Sequence, residues 1–114
     1  MEKFVRQTLL FDFYGELLTS HQQKIYEDVV CNDMSCSEVA AEQGVSRQGI
    51  HDLVKRCNRQ LEEYEEKLHL VQKFLDIQGK VRRIREEAVS ASREQRSPDI
   101  QAILRISDEI LEEL

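Results

Sequence analysis

A chain of 114 residues, 40% hydrophobic and 33% charged, with four glycines and one proline, suits one helical domain with an appendage rather than a turn-rich β fold. Sixteen Lys and Arg against twenty-two Asp and Glu weaken any non-specific hold on nucleic acid. No apolar run approaches the roughly 20 residues of a membrane span, and Met1-Glu2-Lys3-Phe4 does not open a signal peptide. Cys31, Cys36 and Cys57 form no CxxC pair, so a reduced, cytoplasmic chain is expected.

Residues 3–18 form the first predicted helix. Val5, Leu9, Leu10, Phe13, Tyr14, Leu17 and Leu18 cover more than one of its faces, and Phe11 lies outside that stripe. A helix apolar nearly all round is buried or shared with a partner. Gly15 costs it about 1 kcal/mol relative to Ala and permits close helix contact. Thr19-Ser20, with Gln22 or Gln23 as a capping-box partner, starts a second helix to about Val30, lined by Ile25, Tyr26, Val29 and Val30. Ser35 opens the third through a capping box with Glu38, stapled by Met34 and Val39, and Gly44 ends it. Ser46 caps the fourth, with Val45 and Ile50 in staple positions.

From Ile50 the apolar positions Val54, Cys57, Leu61, Tyr64, Leu68, Val71 and Leu75 continue in alternating steps of four and three, a heptad seam. Unbroken from Ser46 to Gln78, such a helix is about 50 Å long, more than the width of so small a domain. It either projects and pairs with another chain or breaks near Leu70 and folds back. Gly79 is a second expected break. Lys80 to Arg85 is basic and amphipathic, equally suited to plain structure and to binding phosphates. Residues 90–97 read as polar and irregular. Ser97-Pro98-Asp99 then supplies a cap, an N1 proline and an acidic first turn. Ile100, Ile103, Leu104, Ser107, Leu111 and Leu114 line one face of the last helix. The expected division is a helix-turn-helix domain over 1–70 and a helical extension over 71–114, for dimerisation or partner binding.

The sharpest motif lies between Ser35 and Leu61. Ala40 lets two helices cross closely, and four positions on Gly44 permits the left-handed turn that a side chain resists. Val39, Val45, Ile50 and Leu53 are spaced to fill the angle between them. Residues 46–61 hold four basic side chains and one acidic, whereas residues 1–45 hold three basic and eight acidic. Local potential acts within roughly 8 Å at physiological salt, so this face can act on an acidic chain. The outer face of the second helix would enter a major groove. Ser46, Arg47, Gln48, His51, Lys55 and Arg56 are its candidate contacts: Arg47 for a guanine edge, Gln48 for an adenine, Ser46 and Lys55 for phosphates.

The stretch from Ser20 to Leu61 resembles region four of bacterial sigma factors. Leu10-Phe11-Asp12-Phe13-Tyr14-Gly15, Leu17-Leu18-Thr19, Val45-Ser46-Arg47-Gln48 and Leu61-Glu62-Glu63-Tyr64-Glu65 more closely resemble the YlxM family of small bacterial helix-turn-helix proteins. That resemblance covers residues 3 to about 77. It implies an all-α, sigma-region-four-like bundle, DNA binding, and a link to the signal-recognition-particle pathway, with the particle's GTPase or RNA as partner. Gly49 stands where the family usually has alanine, and His51 where it usually has tyrosine. Gly49 loosens the reading helix, and His51 offers a smaller polar contact.

Other constellations carry less. The three cysteines with His51 match no usual zinc spacing. His51-Asp52 are neighbours on a helix and point apart, with no nucleophile motif nearby. Glu62, Glu63, Glu65 and Glu66 read as a solvated acidic face. No phosphate-binding or dinucleotide fingerprint is present. The expectation is a non-enzyme without metal or cofactor. Phe11 and Phe13, on opposite sides of one helix, together with the heptad seam, point to a homodimer.

Overall fold

The structure, a computed structural model describing residues 1–114, is all-α, with six α-helices and no strand. Helix α1 spans Lys3–Tyr14, α2 Ser20–Tyr26, α3 Cys36–Gln43, α4 Arg47–Leu68, α5 Leu70–Arg93 and α6 Ile100–Glu113. Two compact units divide the chain, Met1–Val71 and Gln72–Leu114. No helix is long and apolar enough to cross a membrane.

In the first unit each helix end has an identifiable cause. The first helix does not run to residue 18. It stops at Tyr14 and tightens into a 3-10 turn, Gly15–Leu17. Gly15 is buried, and a Cβ there would stand 2.9 Å from the Phe11 ring. The close approach it permits is therefore to a side chain of its own segment. Thr19 caps α2 reciprocally with Gln22, at 3.2 Å and 3.0 Å. The spacing predicts α2 as far as Val30; instead it passes at Glu27 into a π-helical turn, Glu27–Cys31. A π turn accommodates an extra residue, and here Asp28 is turned inward. Its carboxylate accepts from Lys24 Nζ and Asn32 Nδ2, and its carbonyl accepts the Met34 N–H at 2.9 Å.

Ser35 caps α3 by accepting the Glu38 N–H at 3.1 Å, while the Glu38 carboxylate meets the Ser35 hydroxyl rather than closing the box on the backbone. Gly44 takes the left-handed conformation, φ 67°, and its N–H returns to the Ala40 carbonyl. Ile25, Val39, Ala40 and Ile50 form the buried cluster between α2, α3 and α4, with Met34, Leu53 and Val54 packed against it. Full burial of Ile50 contributes about 1.5–3 kcal/mol. Val45, expected in that angle, is 52% exposed. Its N–H is held to the Ala40 carbonyl at 3.1 Å just past the left-handed turn, and its side chain faces out.

Most of the heptad seam is spent within the chain, although Leu68 is 52% exposed. Ile50, Cys57, Leu61 and Val71 are buried in the first unit, and Val54 and Tyr64 half-buried. The helix breaks at His69, φ 56°. The break rests on Glu65, which is buried rather than part of a solvated acidic face. Glu65 Oε1 accepts the Tyr14 hydroxyl at 2.6 Å and the Val71 N–H at 2.9 Å. The Tyr14 oxygen in turn accepts the Leu70 N–H at 3.1 Å. Two orphan donors at the start of α5 are thus satisfied by side chains. Burial, then the adjacent carboxylate, push the Tyr14 phenol pKa upward. Nearby, Arg6 grips Glu62 through Nε and Nη2, both at 2.7 Å. Phe11 stacks on Tyr26 with ring centroids 5.4 Å apart, and the Tyr26 hydroxyl donates to Asn58 Oδ1.

The second unit is an antiparallel hairpin of α5 and α6. Lys80 pairs with Glu113 and Arg83 with Glu109 along its length; Arg96 holds Glu87 and Glu94 at the turn. Helix α5 runs through Gly79 without a break and continues past Ser90 to Arg93. The glycine is exposed and keeps a negative φ, so the helix absorbs its entropic cost. Asp99, not Ser97, caps α6 by accepting the Ala102 N–H at 3.0 Å, which leaves Pro98 outside the helix. The inward stripe of α6 also differs from expectation. Ile106 is buried and Ile103 and Ile110 half-buried, while Ile100, Leu104, Leu111 and Leu114 are exposed.

Candidate nucleic-acid interface

Helix α4 presents its first turns to solvent because its opposite side is held. Ile50 and Cys57 are buried, and Leu53 and Val54 are half-buried. At about 100° per residue, Arg47, His51 and Lys55 then form one outward stripe, with Gln48 beside it and Arg56 on the next flank. All five are exposed, as is Ser46. Arg47, Gln48 and His51 line a concavity of about 460 Å³ together with Cys36, from the first turn of α3. The structure thus brings three of the six expected residues to one hollow. Lys55 and Arg56 lie further along the helix, and Ser46 sits at its start.

Ser46 spends an oxygen lone pair on the Gly49 N–H at 3.0 Å and keeps its hydroxyl proton to donate. A Cβ at position 49 would stand 3.1 Å from that oxygen, so glycine leaves the cap uncrowded. Arg47, Lys55 and Arg56 enter none of the chain's ion pairs. Gln48 is different: its amide donates to Asp52 Oδ1 at 2.9 Å. That contact was readable in the sequence from the i, i+4 spacing. Cys36 was not, because nothing in the spacing places α3's first turn beside Arg47. Arg59, four residues beyond Lys55, is also exposed and extends the same stripe. Burial raises the pKa of the Cys57 thiol, which fits a packed side chain rather than a reactive one. No group of three or more His, Cys, Asp or Glu is placed to hold a metal ion.

Comparison with known proteins places this arrangement. The family UPF0122, described as "Putative helix-turn-helix protein, YlxM / p13 like", matches residues 1–101. A UPF0122 protein of Thermoanaerobacter sp. (strain X514) is 39% identical over 113 residues, covering 99% of this chain and 94% of the relative. One from Acetivibrio thermocellus is 38% identical over 114 residues, 100% of this chain and 97% of the relative. One from Bacillus cereus (strain AH187) is 44% identical over 86 residues, 75% and 78% of the two chains. The capped helix pair, the left-handed Gly44 between its members and the match over most of the chain agree: this chain belongs to the YlxM/p13-like helix-turn-helix family UPF0122.

Proposed function

We propose that the chain is a DNA-binding regulatory protein that reads the major groove with the N-terminal turns of α4. The observation that carries the reading is the exposed stripe of Arg47, His51 and Lys55, backed by the buried Ile50, with Arg47 and His51 sharing one hollow with Gln48. Arg47 is the base-reading residue, through a bidentate guanidinium. Lys55, Arg56 and the Ser46 hydroxyl hold phosphates and fix the register. Few phosphates are within reach of one such helix, so the working unit is a homodimer on two half-sites.

The test is fluorescence anisotropy on mixed-sequence duplexes, with a salt series and Arg47→Ala alongside. The expected loss for Arg47→Ala is about 1–3 kcal/mol with relaxed sequence preference. Equal binding by variant and parent removes Arg47 from the reading face.

A second reading has its own support. The first unit has eight basic and thirteen acidic side chains, and Asp52 ties down Gln48 on the reading face itself. In this reading the fold is a scaffold that binds the signal-recognition-particle GTPase or its RNA. Added protein then changes the GTPase's turnover, and charge reversal at Arg47 leaves that effect intact.

A further inference from the structure

The hairpin of α5 and α6 buries little of what it carries. Over Gln72–Leu114 only Ala91 and Ile106 are buried apolar residues. A unit close to the roughly 40-residue floor for independent folding is marginal alone and gains from disulfides, a metal or association. This one has no cysteine, and no metal cluster is present.

What it has is a second apolar stripe on each helix. Along α6 the inward positions are Ile103, Ile106, Ile110 and Glu113. The outer stripe is Leu104, Ser107, Leu111 and Leu114, each one residue further on, with Ser107 half-buried and the three leucines exposed. Leu104 is 57% exposed, Leu111 69% and Leu114 75%. Along α5 the inward positions Lys80 and Glu87, fixed by their ion pairs with Glu113 and Arg96, are likewise followed by Val81 and Ala88. Val81 is 51% exposed and lines a groove of about 330 Å³ with Phe74 and Ile77. One residue is a rotation of about 100° in the same sense on both helices. Because the helices run antiparallel, those rotations turn both stripes to the same side of the hairpin. The result is one largely apolar face, with Gln78, Arg85 and Ser107 as its polar members.

The charges beside this face select its occupant. Arg82 flanks it and Arg85 lies on it along α5, and Asp108 and Glu112 flank it on α6; all four are exposed and enter no ion pair. The two sets lie at the same level of the hairpin, because Lys80 meets Glu113 and Arg83 meets Glu109 there. A uniformly acidic or basic partner matches only half of this pattern. A second copy related by a twofold axis along the hairpin matches all of it, with each α6 lying over the other copy's α5.

We infer that the face formed by Val81, Leu104, Leu111 and Leu114 docks the same face of a second copy of this chain, closing a four-helix bundle. This deepens the homodimer of the proposed function and replaces the α4 seam as its interface. It is independent of whether α4 reads DNA.

The test is sedimentation equilibrium of the full chain at micromolar concentration, with helicity followed in parallel. The parent is expected at twice the 13.4 kDa chain mass, and Leu104→Glu/Leu111→Glu at the chain mass. The milder Leu104→Ala/Leu111→Ala keeps helix propensity and is expected to weaken dimerisation at least tenfold should the glutamate variant fail to fold. Arg82→Glu/Arg85→Glu and Asp108→Arg/Glu112→Arg are each expected to be monomeric alone and to form a heterodimer when mixed. A monomeric parent, or a dimer that none of these changes weakens, overturns the inference. A dimer that depends on these residues yet ignores DNA sinks only the DNA reading.

Discussion

Tyr14→Phe removes one oxygen from the joint between α4 and α5 and nothing else. That oxygen donates to Glu65 at 2.6 Å and accepts the Leu70 N–H at 3.1 Å. Tyr14 is 1% exposed and Glu65 6%, so water does not readily replace it. A hydrogen bond to a charged group contributes about 1.5–3 kcal/mol, and leaving a donor such as the Leu70 amide unpaired adds to the loss. Glu65 keeps its bond to Val71 at 2.9 Å, which limits the damage. The expected cost is about 2–3 kcal/mol, a large part of the ~5–15 kcal/mol that holds a typical domain. For a chain of this size that is a fall in Tm of about 8–12 °C, from roughly 4 °C per kcal/mol. Glu65→Gln is the control: its amide oxygen still accepts both donors, so about half that loss is expected. Urea denaturation of parent, Tyr14→Phe, Glu65→Gln and the double variant measures the coupling directly. A Tyr14→Phe cost below ~0.5 kcal/mol, within the range of an unremarkable surface change, refutes the assignment of the break to this pair.

Gly79→Ala is expected to stabilise the chain by about 1 kcal/mol, because the residue lies inside α5 with nothing within 4 Å of an added Cβ; a loss in thermal unfolding instead marks a hinge. Arg6 holds the Glu62 pKa below its ordinary 4.5. The stability this pair contributes is therefore present above the ordinary carboxylate range and lost as pH falls through the lowered value. Arg6→Met should flatten the acid limb of stability against pH, and an unchanged limb rejects the coupling. Asp52→Ala frees Gln48 and removes an acid from the reading face; tighter duplex binding in anisotropy is expected, and unchanged affinity excludes Asp52 as a brake.

Local chemistry was the readable part of the sequence. Thr19, Ser35 and Ser46 cap because a short oxygen side chain stands just before each apolar run, and Gly44 turns because only the lack of a Cβ makes that conformation cheap. The candidate stripe of Arg47, His51 and Lys55 follows from the same periodicity that buries Ile50 and Cys57. The unreadable part was long-range. Glu65 stands four residues after Leu61, on the inward side of α4, but the partner that satisfies its buried carboxylate is Tyr14, fifty-one positions away. Helix α6 failed for another reason. Ile103, Ile106 and Ile110 compete with Leu104, Leu111 and Leu114 as equally good stripes, and only the packing against α5 decides which turns inward.

The joint at His69 has a consequence for how the chain matures. Taken alone, residues 46–78 have every local incentive to form one straight rod: the apolar spacing continues across the break, and a left-handed histidine costs about 1–2 kcal/mol. What holds the break is Tyr14 of α1, bonded to Glu65 and to the Leu70 amide. During synthesis α1 leaves the ribosome first and waits, and the break can be set only once Glu65, Leu70 and Val71 have followed it. A fragment lacking α1 should hold a longer helix than the intact protein, so the first helix acts as the template that tells a later one where to stop.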